Sequence, residues 1–259
     1  MAIEVERDEV GAPTRLRWWR EVLYVLAFYV VYSAVRNAGT GADSVGQAFD
    51  NAKDIIRLER LVGLYHEETI QEAFLSQRWF IQAWNVFYGS FHFVVTIGAL
   101  VWCFRRRPDR YPRWRNTLAA TTALALIGFA FYPLMPPRLL PTSYGYVDTL
   151  ASYGGLWSFD SGTMKAVSNQ YAAMPSLHFG WSSWSMFVLW PATAGRTWAR
   201  VLLAAYPAAT LFAIIVTANH FWLDAVGGAV VLAAGYGVAT LLTRRSRAAS
   251  SAEKSSLPS

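Results

Sequence analysis

Six stretches of the chain are apolar enough to form helices that cross a lipid bilayer, and this feature constrains the fold more than any other. A helix needs about 20 apolar residues to cross the roughly 30 Å hydrocarbon core. Only 15% of the residues are charged, whereas about a quarter are charged in soluble domains. The sequence therefore predicts an all-α, polytopic membrane protein with six transmembrane helices. These are expected at residues 21–35, 80–104, 117–134, 176–190, 201–217 and 221–242.

Lysine and arginine are distributed unevenly between the two sides that six spans would create. One side, which holds both termini, receives 16 of these 23 cations, and the other side receives 7. Loops rich in Lys and Arg stay in the cytoplasm. We therefore expect a multi-pass protein of the cell membrane with both termini cytoplasmic. We attribute the net charge of +6 to this bias. We expect the lipid bilayer, and not a nucleic acid, to be the partner.

The segments outside the predicted spans divide the chain into regions. Residues 1–20 are expected to be a cytoplasmic segment, 21–243 the membrane domain, and 244–259 a disordered cytoplasmic tail. Two long loops lie on the outer side. Residues 40–79 hold amphipathic runs, which predict one or two helices on the membrane surface. Residues 136–174 are irregular, and a loop of this length is usually functional.

His220 and Asp224 are the first pair that points to chemistry. Their i, i+4 spacing places both side chains on one face of a helix. The carboxylate can then hold one imidazole nitrogen and leave the other as a nucleophile, the logic of a hydrolase triad. The alternative interpretation is a capping Asp beside an interfacial His.

A second histidine lies at the start of the fourth predicted span. Pro175 and Ser176 precede it, and Pro suits a first helical turn. The N–H groups of such a turn form an anion site, to which Ser176 adds a hydroxyl, while His178 can protonate a departing oxygen. The alternative is an ordinary capped helix.

Arg138 follows the third predicted span on the same outer side. Its planar guanidinium matches two phosphate oxygens, although an arginine that snorkels to lipid headgroups is the alternative. The convergence of three separate segments on one face favours a phosphate site built from Arg138, Ser176, His178, His220 and Asp224.

Two motifs resemble those of a known family. Residues 171–178, Tyr-Ala-Ala-Met-Pro-Ser-Leu-His, and 219–228, Asn-His-Phe-Trp-Leu-Asp-Ala-Val-Gly-Gly, are similar to signature motifs of the type 2 phosphatidic acid phosphatase superfamily. The resemblance implies that His220 attacks phosphorus through a phosphohistidine-type intermediate, that Asp224 orients it, and that His178 is the general acid. Two cations of the usual motifs are replaced, by Phe131 and Ile214.

One branch of that superfamily is similar in further features. Residues 83–93, Ala-Trp-Asn-Val-Phe-Tyr-Gly-Ser-Phe-His-Phe, and the Pro-Pro pair before Arg138 resemble inositol phosphorylceramide synthases. This resemblance implies transfer of inositol phosphate between lipids. Tyr88 and Asn219 are further candidates for binding substrate. His92 lies deep along its helix, so a structural role is favoured for it.

Other functions fit part of the pattern. Phosphatase and phosphotransferase share the predicted site and differ in whether water or an alcohol completes the reaction. A polyprenyl (pyro)phosphate phosphatase and a non-catalytic transporter are alternatives, as is a zinc site of His178, His220 and Asp224. We expect no metal and no cofactor, because an anion site and an arginine would serve no purpose around a cation.

Overall fold

The protein is described by a computed structural model over residues 17–37, 42–154 and 170–255. These residues form nine α-helices, with short 3₁₀ turns at Pro137–Leu139, Thr142–Tyr144 and Trp190–Thr193. The helices are α1 (Trp18–Asn37), α2 (Ala42–Leu61), α3 (Glu67–Leu75), α4 (Arg78–Arg106), α5 (Tyr111–Phe131), α6 (Thr149–Tyr153), α7 (Leu177–Leu189), α8 (Thr197–Val216) and α9 (Trp222–Ser255). The predicted all-α class is confirmed for the described residues.

Three helices, not six, are long and apolar enough to cross a membrane in the described part of the chain. They are α4, α8 and the Trp222–Arg245 part of α9. Their apolar windows are mostly exposed rather than packed inside the protein. Val94, Leu202 and Val230 are examples of large apolar side chains on these exposed surfaces. Lipid is the solvent that such surfaces match, since water leaves extended apolar faces unfavourable.

The other three predicted spans are helical but fall short as membrane-crossing segments. The α7 helix has 13 residues, which is less than the length of a span. The α1 and α5 helices are long enough, but Arg20, Glu21, Arg113 and Arg115 near their first turns lower their hydropathy. Arg115 and Glu21 form an ion pair of 2.7 Å, which joins α1 to α5. The prediction of six spans is thus corrected to six helices, of which three qualify by length and composition.

The α9 helix packs against α5 and α7, and its glycines allow the close approach. A side chain at Gly228 would meet the carbonyl oxygen of Ser176, just before α7. A side chain at Gly235 would meet the side chain and backbone of Thr121 in α5. This contact brings the starts of α7 and α9 together, and both starts carry a candidate catalytic histidine.

The first outer loop forms helices, as predicted, and part of the apolar face of α2 is buried in the protein. Ala48, Ala52, Ile55 and Ile56 of α2 join one hydrophobic cluster. Its other buried members come from the segments after α5 and before α9, namely Leu134, Met135, Leu140, Tyr146, Ala173, Ala218 and Phe221. The expectation of helices resting on the membrane surface stays a prediction, and other apolar residues of α2, such as Leu58 and Leu61, are exposed.

The second outer loop is ordered over its described part. Residues 136–154 contain two 3₁₀ turns and α6, whereas residues 155–169 lie outside the described chain. Residues 1–16, from the predicted cytoplasmic segment, and 256–259 also lie outside it. The α9 helix continues through 244–255, where the sequence predicted a disordered tail. Ala, Arg, Glu and Lys in this segment are good helix formers.

Candidate active site

A tight turn between α8 and α9 carries His220. Ala218 has a φ of 52°, which is the left-handed region that residues other than glycine seldom occupy. The N–H groups of Asn219 and His220 both donate to the carbonyl of Ile214. The turn therefore fixes His220 two residues before the first residue of α9. Backbone strain of this kind is found preferentially at functional sites.

His220 and Asp224 form the predicted hydrogen bond. The distance from Nδ1 of His220 to Oδ2 of Asp224 is 3.1 Å, and the same oxygen accepts the N–H of Phe221 at 3.0 Å. Asp224 is fully buried and His220 is 3% exposed. An ionised carboxylate can only accept, so this contact places a proton on Nδ1 and leaves a lone pair on Nε2 of His220.

His178 meets His220 across the gap between α7 and α9. The distance from Nε2 of His220 to Nδ1 of His178 is 3.3 Å. With Nδ1 of His220 protonated by its bond to Asp224, His178 is the donor in this contact. Asp224, His220 and His178 therefore form one hydrogen-bonded chain, although 42 positions separate the two histidines.

Two residues of α4 pack against the ring of His178. Tyr88 stacks on it with a centroid distance of 4.2 Å and an interplanar angle of 21°. His92 meets it edge-on, also at 4.2 Å, and its Nδ1 lies 3.0 Å from the carbonyl oxygen of Tyr88. Tyr88 was predicted to be near the site, whereas His92 was assigned a structural role at a distance from it. The structure instead places His92 beside His178, so the histidine cluster reaches into the helix bundle.

Arg138 lies beside the histidine cluster but is already paired. Its Nη1 donates to Asp148 at 2.8 Å, and its Nε donates to Asn219 at 3.0 Å. Its backbone N–H donates to Ala218 in the turn before His220. Asp148 also caps α6 through the N–H groups of Leu150 and Ala151. Asn219, predicted to bind substrate, thus positions Arg138 and is itself almost fully buried.

Ser176 caps α7, as its position in the sequence indicates. Its hydroxyl accepts the N–H of Phe179 at 3.5 Å, and its own N–H donates to the carbonyl of Asp224 at 2.8 Å. The residue is fully buried. Ser176 therefore links the starts of α7 and α9, and a phosphate would reach its hydroxyl only if the entrance opened.

The two positions that lack the usual cations lie in different surroundings. Phe131, at the end of α5, is 80% exposed, and Ile214 is fully buried in α8 behind the turn that carries His220. Both positions are thus apolar, and Arg138 contacts the turn that carries His220. Among the described residues, no group of three or more His, Cys, Asp or Glu side chains is arranged to hold a metal ion.

Sequence reasoning missed three carboxylates near this site. Asp148 pairs with Arg138, while Glu59 of α2 and Glu67 of α3 accept backbone N–H groups at the start of α9. Burial is the main cause that raises the pKa of Glu59 to about 9, and its hydrogen bond to Glu67 and the charge of Glu67 add to the shift. The signal for them in the sequence is their position in the two long predicted outer loops, Glu59 and Glu67 in 40–79 and Asp148 in 136–174.

Comparison with known proteins gives one match, which includes the whole site. The family model of the PAP2 superfamily matches residues 53–238. No curated protein and no solved structure matches the chain. The matched range holds the hydrogen-bonded chain of Asp224, His220 and His178 and the motifs that resemble type 2 phosphatidic acid phosphatases. Because it covers most of the sequence, the chain belongs to the PAP2 superfamily.

Proposed function

We propose that this protein is an integral membrane phosphatase or phosphotransferase that acts on the phosphate headgroup of a lipid. Members of the PAP2 superfamily are generally phosphatases. The observation that carries the proposal is the chain of hydrogen bonds from Asp224 through His220 to His178. It supplies an oriented nucleophile and a second imidazole in reach of the same reacting group.

The first chemical step uses the lone pair on Nε2 of His220. This nitrogen attacks phosphorus, a P–N bond forms, and the bond from phosphorus to the leaving oxygen breaks. His178, in its protonated form, gives its proton to that oxygen. Asp224 keeps the proton of Nδ1 and stabilises the charge that develops on the ring. Arg138, in contact with the turn that carries His220, is the cation that this proposal assigns to the phosphoryl oxygens.

The second step regenerates the enzyme. Water or the hydroxyl group of an acceptor attacks phosphorus and gives its proton to His178, which is now neutral. The P–N bond breaks, and His220 recovers its lone pair. Because Nε2 of His220 and Nδ1 of His178 lie 3.3 Å apart, a phosphoryl group must replace their contact. In this proposal, substrate entry separates the two rings.

The surroundings of the site favour a lipid substrate on the outer side. The histidines lie at the starts of α7 and α9. The basic clusters lie at the opposite ends of the helices, such as Arg105 and Arg106 at the end of α4. The cation bias assigns those ends, and both termini, to the cytoplasm. In this proposal the six helices that were predicted as spans all take part in the membrane domain.

The finer proposal is transfer of inositol phosphate. It is supported by the resemblance of residues 83–93 and of the Pro-Pro pair before Arg138 to inositol phosphorylceramide synthases. Residues 83–93 contain both α4 side chains that pack on His178. A phosphotransferase needs an alcohol to reach phosphorus before water does, so a site closed by stacked rings suits transfer.

The direct test is turnover of phosphate-labelled lipids by the purified protein. The panel contains a phosphatidate, a polyprenyl phosphate and a phosphoinositol lipid, each with and without an alcohol acceptor. We expect release or transfer of label by the wild type and none by His220→Ala. His66→Ala is the matched control, since His66 is exposed at the start of α3 and outside the cluster. Equal turnover by wild type and His220→Ala would overturn the proposal.

A further inference from the structure

The first turn of α9 is held by three carboxyl groups from three helices. The N–H of Phe221 donates to Asp224 at 3.0 Å. The N–H of Trp222 donates to Glu67 at 3.3 Å, and the N–H of Leu223 donates to Glu59 at 2.8 Å. The first N–H groups of a helix have no acceptor within the helix, so they need such partners. A single side chain usually fills this role, and here two glutamates reach it from α2 and α3.

The two glutamates are buried and face one another. Both are 0% exposed, and their second carboxyl oxygens, Oε2 of Glu59 and Oε2 of Glu67, are buried as well. Their backbone partners, Trp222 and Leu223, are adjacent residues, so the two carboxyl groups lie side by side at the first turn of α9. Adjacent buried carboxylates repel, and one of them keeps its proton.

Of the two glutamates, Glu59 is the one that keeps its proton. Burial, the hydrogen bond to Glu67 and the negative charge of Glu67 raise the pKa of Glu59 to about 9. Glu59 is therefore protonated at neutral pH. The positive end of the α9 dipole, where both side chains bind, favours an anion.

We infer that Glu59 and Glu67 are positioning residues for the proposed reaction, acting as a pair with one shared proton that holds the first turn of α9 and, through it, His220 and Asp224. The inference rests on the proposed function. The two glutamates act on the backbone between His220 and Asp224, where a shift of about 1 Å can cost roughly 100-fold in rate.

The charged and titratable groups around the pair come from several segments. Asp224 of α9 and Glu67 of α3 add negative charge near Glu59. Tyr146, from the loop after α5, faces both glutamates, and burial raises the pKa of its hydroxyl. Tyr65 lies beside it, and the guanidinium of Arg60 stacks over the Tyr65 ring at 4.7 Å. Loss of the shared proton would therefore add a negative charge to a site whose net charge is already negative.

Glu59→Gln separates the positioning role from simple stability. A glutamine amide donates to Glu67 and accepts from Leu223, as protonated Glu59 does, but it cannot lose the proton. We expect Glu59→Gln to turn over within about twofold of wild type at neutral pH. Glu59→Ala should lower kcat by about 10- to 100-fold with little change in KM. Glu72→Gln, an exposed position on α3, is the matched control and should be unchanged at every pH.

The pH dependence gives the decisive comparison. The ratio of wild-type kcat to Glu59→Gln kcat cancels every titration that the two proteins share. We expect the ratio to be constant at neutral pH and to fall above about pH 9, where Glu59 loses its proton. A ratio that stays constant from about pH 6 to about pH 10 would overturn the positioning role.

A spectroscopic measurement tests the shared proton without any turnover. The infrared difference spectrum of wild type minus Glu59→Gln at neutral pH should contain the C=O band of a protonated carboxyl. Its absence would overturn the inference. If the wild type turned over no lipid but the band were present, the proposed function would fail while the shared proton stood. In that case, hydrogen exchange of the amides of residues 221–223 should be faster in Glu59→Ala than in Glu72→Gln. This difference would show that Glu59 holds the first turn of α9.

Discussion

The first turn of α9 has two sides that bury ionisable groups in different ways. On one side, Asp224 binds His220, and His220 contacts His178, which is partly accessible and packs against aromatic rings. On the other side, Glu59 and Glu67 are fully enclosed and bind backbone N–H groups. The histidine side can exchange partners when a phosphoryl group enters. The carboxyl side has no such access, which suits it to hold the helix start in place.

The largest expected effect is on the histidine side. His220→Ala should lower turnover by about 10⁴-fold or more, as loss of a nucleophile does in other hydrolases. A phosphate-labelled lipid should leave an acid-labile, base-stable label on the wild-type protein but not on this variant. If rapid acid-free quenching traps no label while turnover is robust, and His220→Gln keeps partial activity, His220 is a general base instead.

Asp224→Asn should have the next largest effect. The amide cannot hold a proton on Nδ1 of His220 as the carboxylate does, so the wrong tautomer is favoured. We expect turnover to fall by about 10²- to 10⁴-fold, by analogy with a serine protease triad. The folded protein should remain, as measured by its elution and thermal unfolding in detergent. Normal kcat in the purified variant would reduce Asp224 to a helix cap.

His92→Ala should have a smaller effect that depends on the leaving group. Removing the ring leaves a gap beside His178, and a misplaced general acid protonates a poor leaving group less well. We expect about tenfold slower turnover of an alkyl phosphate lipid and little change with an aryl phosphate. His92→Phe, which keeps a ring at this position, should lie between the two. Equal slowing of both substrates would indicate that His92 only supports the fold.

A separate prediction concerns the pH dependence of stability on the carboxyl side. Since the folded pKa of Glu59, about 9, exceeds its ordinary value of 4.5, its protonation stabilises the fold fully below pH 4.5. This contribution falls as pH rises and is lost by about pH 9. One proton corresponds to a slope of at most about 1.4 kcal/mol per pH unit. The unfolding temperature of wild type should fall relative to Glu59→Gln over this range, and parallel curves would contradict the assignment.

The sidedness of the site has its own test. Ser143 is exposed in the loop after α5, on the predicted outer side. A cysteine at this position should react with an impermeant thiol reagent in intact cells. The native Cys103 is buried, so the wild type should give little background. Labelling only after lysis would reverse the proposed topology.

Local signals account for much of the histidine side. The i, i+4 spacing of His220 and Asp224 predicts their contact, and the Pro175-Ser176 pair predicts a capped helix before His178. The apolar runs predicted where the helices lie. The ends of the predicted helices indicated that His178 and His220 lie on the same side and meet. Apolarity alone did not fix which helices qualify as spans, because the length of α7 and the charges near the first turns of α1 and α5 depend on where each helix begins and ends.

Tertiary structure decided the rest. Glu59 lies in an amphipathic run, where a charged residue ordinarily faces water, yet it binds the N–H of Leu223, 164 positions away. The depth of His92 along its own helix predicts a structural role for it. Its contact with His178 depends instead on how far His178, on a different helix, extends into the bundle. Asp148 and Arg138 pair because the turn before His220 holds both segments. Sequence periodicity reports what a residue does within its own helix, whereas burial against distant segments sets the charge and the partners of each group.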